Sequence, residues 1–125
     1  IGLANPNIGP HVEAAINSAL RLGFPEARIP LAAIVIELSL SPKSNSAEIA
    51  IDSALADVRS GNTCDVPNHL KNPSSAYKYP HNYKNDYVKQ QYLPDKLLGK
   101  EYYHPKNNKN ENILKDIIEK LKNIE

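Results

Sequence analysis

The apolar positions of residues 29–59 fall into two helical patterns with a break between them. Residues 30–40 are apolar nearly all round, and Glu37 and Ser39 are their only polar side chains. A helix that is apolar on every side belongs in a core, with neighbours on several faces. The second arm is amphipathic: Ala47, Ala50, Ile51, Ala54, Leu55 and Val58 repeat along one helical face, and Glu48, Asp52, Asp57 and Arg59 lie off it. The break is Ser41-Pro42-Lys43-Ser44-Asn45. Pro42 disfavours helix at Ser41. Asn45 or Ser44 can cap the second arm, and Glu48 stands where a capping box places its acid. Glu37 is expected to emerge or to pair with Arg28 or Lys43.

Two more stripes flank this pair. Val12, Ala15, Ile16, Ala19 and Leu20 recur at helical spacing, with His11, Glu13, Asn17 and Arg21 off the stripe. Asn5-Pro6 suits a helix start, and Pro10 could delay it to Gly9-Pro10. Gly23 is a C-terminal stop with Pro25 beyond it, and residues 26–28 predict one short turn. At the other end Ile113, Leu114, Ile117, Ile118, Leu121 and Ile124 form a stripe opposite Lys115, Glu119, Lys120 and Lys122. Asn110 or Asn112 can cap that helix, with Glu111 near its start and lysines near its end, as the helix dipole favours. An isolated helix this short is marginal in water, so it must dock on the core or on another subunit.

From Asn72 to Asn110 the sequence shows neither helical nor strand period. Pro73, Pro80, Pro94 and Pro105 punctuate it, and it holds all seven tyrosines of the chain. That aromatic content argues against a disordered linker. The expectation is an irregular segment that lays its rings on the helices, with short turns near residues 66–71, 86–92 and 94–98. Tyr77-Lys78-Tyr79 alternates like a short strand, but one tripeptide makes no sheet.

The whole chain, 125 residues, has room for one all-α domain: a helical core over 6–60, the Tyr-rich segment over 61–110 and a C-terminal helix over 111–124. Its net charge of +1 excludes little. Residues 1–60 carry −2 and residues 61–125 carry +3, a mild bias rather than the footprint of a DNA binder. A single cysteine, Cys64, forbids an internal disulfide and reads as a free loop thiol. No apolar run approaches the about 20 residues that span a membrane. The chain opens on Ile1, as a piece of a longer protein would.

Motifs for chemistry are sparse. Gly99-Lys100 is followed by Glu101, where a phosphate-binding loop needs Ser or Thr. Ile34-Val35-Ile36-Glu37 resembles an apolar run ending in a magnesium-holding acid, but its helical setting and lone carboxylate favour a core helix. His11, His69, His81 and His104 lack metal-ligand spacing and read as surface or hydrogen-bonded histidines. No Gly-x-Ser-x-Gly elbow is present. No catalytic, cofactor or metal site is expected within these residues. The Tyr/Lys segment has two readings. Its rings could stack on single-stranded bases while its lysines neutralise phosphates, or its rings cover the helices with their hydroxyls at the rim.

Several ordered motifs carry a family resemblance: Gly2-Leu3-Ala4-Asn5-Pro6, Gly23-Phe24-Pro25-Glu26, Arg28-Ile29-Pro30-Leu31-Ala32, Ser41-Pro42-Lys43-Ser44-Asn45 and Ala54-Leu55-Ala56-Asp57-Val58-Arg59. Val66-Pro67, His69-Leu70, Tyr77-Lys78-Tyr79-Pro80-His81, Gln91-Tyr92-Leu93-Pro94-Asp95, Gly99, Tyr102-Tyr103 and Pro105 continue it. The set resembles the C-terminal domain of the MgsA/RarA family of replication-associated recombination AAA+ ATPases, relatives of the clamp loaders and of the Werner-helicase-interacting protein. Residues 72–76 stand where that family carries a longer insert.

The resemblance implies an all-α fold like the clamp-loader collar, assembling subunits into a homotetramer. It implies an N-terminal module, outside these residues, that binds ATP and Mg2+. It also implies a cytoplasmic parent protein, nucleoid-associated if bacterial, that acts at stalled forks with DNA and single-stranded DNA-binding protein as partners. On that reading Ile16, Leu20, Ile113, Ile117 and Leu121 are candidates for an oligomer interface or core. Lys43, Asn45, Tyr77, Lys78, Tyr79, His81, Lys84, Lys89 and Tyr92 are candidates for contact with DNA or a partner.

Overall fold

The computed structural model describes residues 1–72 and 75–124. Pro73 and Ser74, within the 72–76 bridge, lie outside the described residues. Four α-helices carry the fold: α1 (Ile8–Leu22), α2 (Arg28–Leu40), α3 (Ser46–Arg59) and α4 (Lys109–Lys122). Short 3-10 turns occupy Gly2–Ala4, Asn68–Leu70, Pro80–Asn82, Lys84–Asp86 and Asp95–Leu97. No strand occurs among the described residues, so Tyr77-Lys78-Tyr79 belongs to no sheet. The fold class is all-α, as the periodicity predicts.

The helix ends follow local chemistry. α1 starts at Ile8, between the two starts the sequence offers, after a turn in which the Ile8 N–H donates to the Asn5 carbonyl at 3.2 Å. Pro10 then lies in the first turn, where its missing N–H costs nothing. Gly23 ends α1 with φ 69°, a left-handed conformation that favours glycine, and its N–H donates to Ala19 O. Residues 24–27 turn the chain back, and Ala27 is buried. Ser41 closes α2: its N–H and its Oγ both donate to Glu37 O, and ψ 137° is what Pro42 requires.

The chain forms two compact units. The first comprises Ile1–Glu48 with Pro105–Lys115. In it α1 and α2 form an antiparallel hairpin: His11, early in α1, meets Glu37, late in α2, and Asn5 donates to Ser41 Oγ at 3.0 Å. Glu37 therefore pairs with His11 and not with Arg28 or Lys43, because the hairpin brings the His11 ring to 2.7 Å. The buried apolar residues of this unit are Ala4, Ala27 and Ile34. The second unit comprises Ile49–His104 with Asp116–Glu125, and the buried apolar residues among its described residues are Val88 and Leu97.

The largest departure from expectation is α2. Its sequence places it in a core, yet Ile34 is its one buried residue. Ile29, Val35, Ile36 and Leu40 are 63%, 57%, 59% and 80% exposed. The physical reason is geometric: α1 faces one side of the helix, along Pro30, Ala33, Ile34 and Glu37, while Ile29, Val35, Ile36 and Leu40 lie away from that hollow and stay exposed. The tyrosines depart too. Tyr77, Tyr79, Tyr83 and Tyr92 stay between 42% and 52% exposed, while Tyr87, Tyr102 and Tyr103 are half-buried. The segment therefore tucks in part of its aromatic content and presents the rest to solvent.

Candidate functional site

Each of the two units is built around a hydrogen-bonded network. The first centres on Glu111, which is fully buried at the start of α4. Asn108, not Asn110 or Asn112, caps that helix: its Oδ1 accepts from the Glu111 N–H at 2.9 Å. Asn110 instead donates to Leu3 O at 2.7 Å, and Asn112 to Asn107 Oδ1 at 3.1 Å. Asn108 and Glu111 have capping-box spacing, so the sequence carried a signal for this start. The Glu111 carboxylate accepts from Ser46 Oγ, at the head of α3, and from Asn108 Nδ2. Burial pushes its pKa up, but hydrogen bonds from Ser44, Ser46, Asn108 and the Lys106 backbone outweigh burial and bring it to about 2. Ser44 also accepts from the Ser46 N–H, and Lys106 donates to Asn45 Oδ1. The Ser44 N–H donates to Ile1 O at 3.1 Å. The turn after α2 is thus tied to both the N-terminal residues and the α4 start.

The second network belongs to the second unit. Asp57 lies on the polar side of α3 by sequence, yet it is buried. It accepts from Tyr102 Oη at 2.9 Å and pairs with Lys100 Nζ at 2.5 Å. The hydrogen bond from Lys100, then that from Tyr102, holds the Asp57 carboxyl below its usual range. The same contact raises Lys100, and burial followed by the bond to Asp57 raises the Tyr102 hydroxyl. Lys122 of α4 pairs with Glu101, which lowers the Glu101 carboxyl. Position along the chain hides this site: Asp57 and Tyr102 are 45 residues apart.

The candidate contact residues of the Tyr/Lys segment are brought together in part. Gln90 links two of them, its amide donating to Lys78 O at 2.8 Å and to Tyr92 Oη at 2.9 Å. Tyr79 and His81 meet edge to face at 5.0 Å, and His81 Nδ1 lies 3.1 Å from Asp86. Tyr77 borders a hollow lined by His69, Leu70, Lys71 and Asn72. Lys78, Lys84 and Lys89 are exposed. Lys43 is exposed too, while Asn45 is engaged by Lys106. Cys64 is a free, exposed thiol, as the sequence suggests. His11, His69 and His81 are hydrogen-bonded, His69 to Gln91 O at 2.7 Å. Among the described residues no three His, Cys, Asp or Glu side chains converge to hold a metal ion. No described helix is long and apolar enough to cross a membrane.

The candidate interface residues are all uncovered. Ile16 and Leu20 on α1 are 44% and 78% exposed; Ile113, Ile117 and Leu121 on α4 are 52%, 46% and 36% exposed. Periodicity found these two stripes. The exposed Ile29, Val35, Ile36 and Leu40 of α2 lie outside those stripes, because a helix apolar all round signals a need for cover without saying which side remains open.

Comparison with known proteins agrees with this all-helical arrangement. The family described as MgsA AAA+ ATPase C terminal matches residues 1–122. The chain is 58% identical to the replication-associated recombination protein A of Bacillus subtilis, over 97% of this chain and 31% of the relative. It is 32% identical to an AAA domain-containing protein of Mycobacterium tuberculosis, over 99% of the chain and 30% of the relative. It is 30% identical to the replication-associated recombination protein A of Haemophilus influenzae, over 98% and 30%. The chain thus spans about a third of the length of the curated relatives it matches. The chain belongs to the family of C-terminal domains of the MgsA-type AAA+ ATPases.

Proposed function

We propose that this chain is the assembly domain of a AAA+ ATPase that acts in DNA replication and recombination. It holds copies of the ATPase module together, as a homotetramer. The observation that carries this reading is the uncovered apolar surface of the α1–α2 hairpin. Ile16, Leu20, Leu22, Phe24, Ile29, Val35, Ile36 and Leu40 are all exposed within one small unit. Scattered exposed apolar residues are ordinary, but a concentration of this kind marks an interaction surface. Symmetric assembly requires each copy to present such a surface. The names of the relatives supply the AAA+ and replication-associated setting; ATP and Mg2+ would bind in the parent's N-terminal module. Leu20→Asp tests the assembly role. Because Leu20 is 78% exposed, the variant should keep the helical circular-dichroism spectrum and lose mass in sedimentation velocity. An unchanged mass for this and every other exposed-stripe variant, with a monomeric parent chain, would refute the reading.

A second reading rests on the exposed rings of Tyr77, Tyr79 and Tyr92 beside exposed Lys78, Lys84 and Lys89. These groups suit single-stranded DNA, whose bases stack on aromatics and whose phosphates attract cations. A DNA- or protein-docking role for residues 77–103 is compatible with assembly. It predicts binding of a fluorescent single strand that weakens steeply with salt. Salt-independent binding, or none at low salt, would overturn it.

A further inference from the structure

In the second unit the side-chain amide of Gln90 clasps the backbone of Lys78. Its Oε1 accepts from the Lys78 N–H at 3.3 Å, and its Nε2 donates to the Lys78 carbonyl at 2.8 Å. The same Nε2 donates to Tyr92 Oη at 2.9 Å, so the Tyr92 hydroxyl sits two hydrogen bonds from the Lys78 backbone. Tyr79, the next residue after Lys78, is braced separately. The His81 ring meets it edge to face at 5.0 Å, a favourable aromatic geometry, and His81 Nδ1 lies 3.1 Å from Asp86 Oδ1. Asn85 and Asp86 bring that carboxylate round with φ of 62° and 53°. Left-handed backbone at non-glycine residues persists where the surroundings hold it, and it gathers at ligand clamps. Both braced rings, Tyr79 and Tyr92, nevertheless stay 52% exposed. Lys78, Lys84 and Lys89 are exposed, and among the described residues their ammonium groups form no ion pair.

We infer that Tyr79 and Tyr92 are the stacking platforms of a single-stranded nucleic-acid site centred on Lys78, and that Gln90, His81 and Asp86 are its positioning residues. The inference rests on the docking reading above. It adds which rings meet bases, and which side chains hold them ready without touching the strand. A ring fixed in orientation yet open on its surface contributes little to a core and suits a flat group from outside. Stacking on such a ring tolerates every base, and the strand's backbone needs cations beside it. Residues 77–92 carry three lysines against one acid, Asp86, and that acid is turned to His81. This balance complements a polyanion. An acidic peptide would meet the lysines, but a single strand presents a flat base beside every phosphate, which suits rings and lysines set side by side. Ordering loose side chains opposes binding, so bracing them in the free protein strengthens it.

The chain contains no tryptophan, so its intrinsic fluorescence is that of tyrosine and reports stacking directly. Binding of a short oligothymidylate is followed by quenching of that emission and by anisotropy of a labelled strand, over a salt series. Tyr79→Leu and Tyr92→Leu should each weaken binding about five- to hundredfold, the range of one base–aromatic stack, with the salt slope unchanged. Tyr79→Phe should bind like the wild type. Gln90→Ala should weaken binding about two- to tenfold, the cost of ordering one released side chain, with the salt slope and the circular-dichroism spectrum kept. Lys78→Gln should instead reduce the slope by about 0.7. Wild-type affinity in Tyr79→Leu, Tyr92→Leu and Gln90→Ala would overturn this site and leave the docking reading to the other residues of 77–103. A loss of affinity that comes with a collapsed helical spectrum would assign these side chains to the fold and overturn the site as well. A wild type that binds no strand at low salt overturns both readings and leaves the braced rings to a protein partner.

Discussion

Glu111→Ala should be among the most destabilising single substitutions in this chain. The side chain is fully buried, and its carboxylate accepts from Ser46 and Asn108, with Ser44 and the Lys106 backbone adding to its stabilisation. A hydrogen bond to a charged group contributes about 1.5–3 kcal/mol. Truncation also leaves the buried Ser46 hydroxyl with only Ser44 Oγ, 3.0 Å away, as a partner, and opens a cavity. Removing one partner of such a buried network costs about 3–5 kcal/mol. A domain of this size is stable by only about 5–15 kcal/mol, and each kcal/mol moves its melting temperature by about 3–6 °C. The expected fall is therefore about 9–30 °C, measured by circular dichroism at 222 nm in thermal titrations, with urea titrations giving the free energy.

Glu111→Gln separates charge from shape. It keeps an acceptor oxygen but turns an amide donor toward the Asn108 amide, so it should fall between wild type and alanine. It should also change the acid response. The folded-state carboxyl titrates near 2, against the usual 4.5. A depressed carboxylate contributes stability that is fully present above about pH 4.5 and is lost as pH falls toward 2. Wild type should weaken across that window, and the glutamine variant should lose the Glu111 share of the slope. A loss under 1 kcal/mol for the alanine variant, or identical acid slopes for wild type and glutamine, would refute the role given to this carboxylate.

Asp57→Asn should lower the melting temperature and move the Tyr102 titration down toward the ordinary tyrosine range, since the hydrogen bond to the Asp57 carboxylate helps raise it; ultraviolet difference titration reads the shift. Leu97→Ala, in the second unit, should cost about 2–5 kcal/mol, as large-to-small core changes do, and urea melts would show it. Gly2→Ala should destabilise by about 1 kcal/mol or more, because φ is 53° and the added methyl would strike the Ser44 carbonyl oxygen. If Lys78, Lys84 and Lys89 meet phosphates, replacing all three with glutamine should flatten the salt slope of single-strand binding by about 2, at ~0.7 per contact.

Sequence and structure agree where the signal is local. Gly23 and Pro42 mark the ends of α1 and α2 because a left-handed φ and a missing N–H act at one residue, whatever packs nearby. The α3 and α4 helices are likewise readable from spacing, though not what covers them: Ile51 and Val58 on the α3 stripe are 56% and 60% exposed. Asn108 could have been read from its three-residue distance to Glu111; the nearby Asn110 and Asn112 offered equal capping chemistry and hid it. Burial of Glu111 and Asp57 was not readable. Each depends on partners tens of residues away, and a carboxylate on a polar helix face looks the same whether water or a serine meets it. α2 shows the converse limit. Its composition states that it needs cover, while the side left open depends on where α1 lands.

The central claim is that this domain assembles through its uncovered helical faces, and the most direct measurement is its mass in solution. Multi-angle light scattering across a wide concentration range should give a stable multiple of 13.9 kDa, with four copies as the expected plateau. A constant mass of one chain at every concentration would contradict the claim.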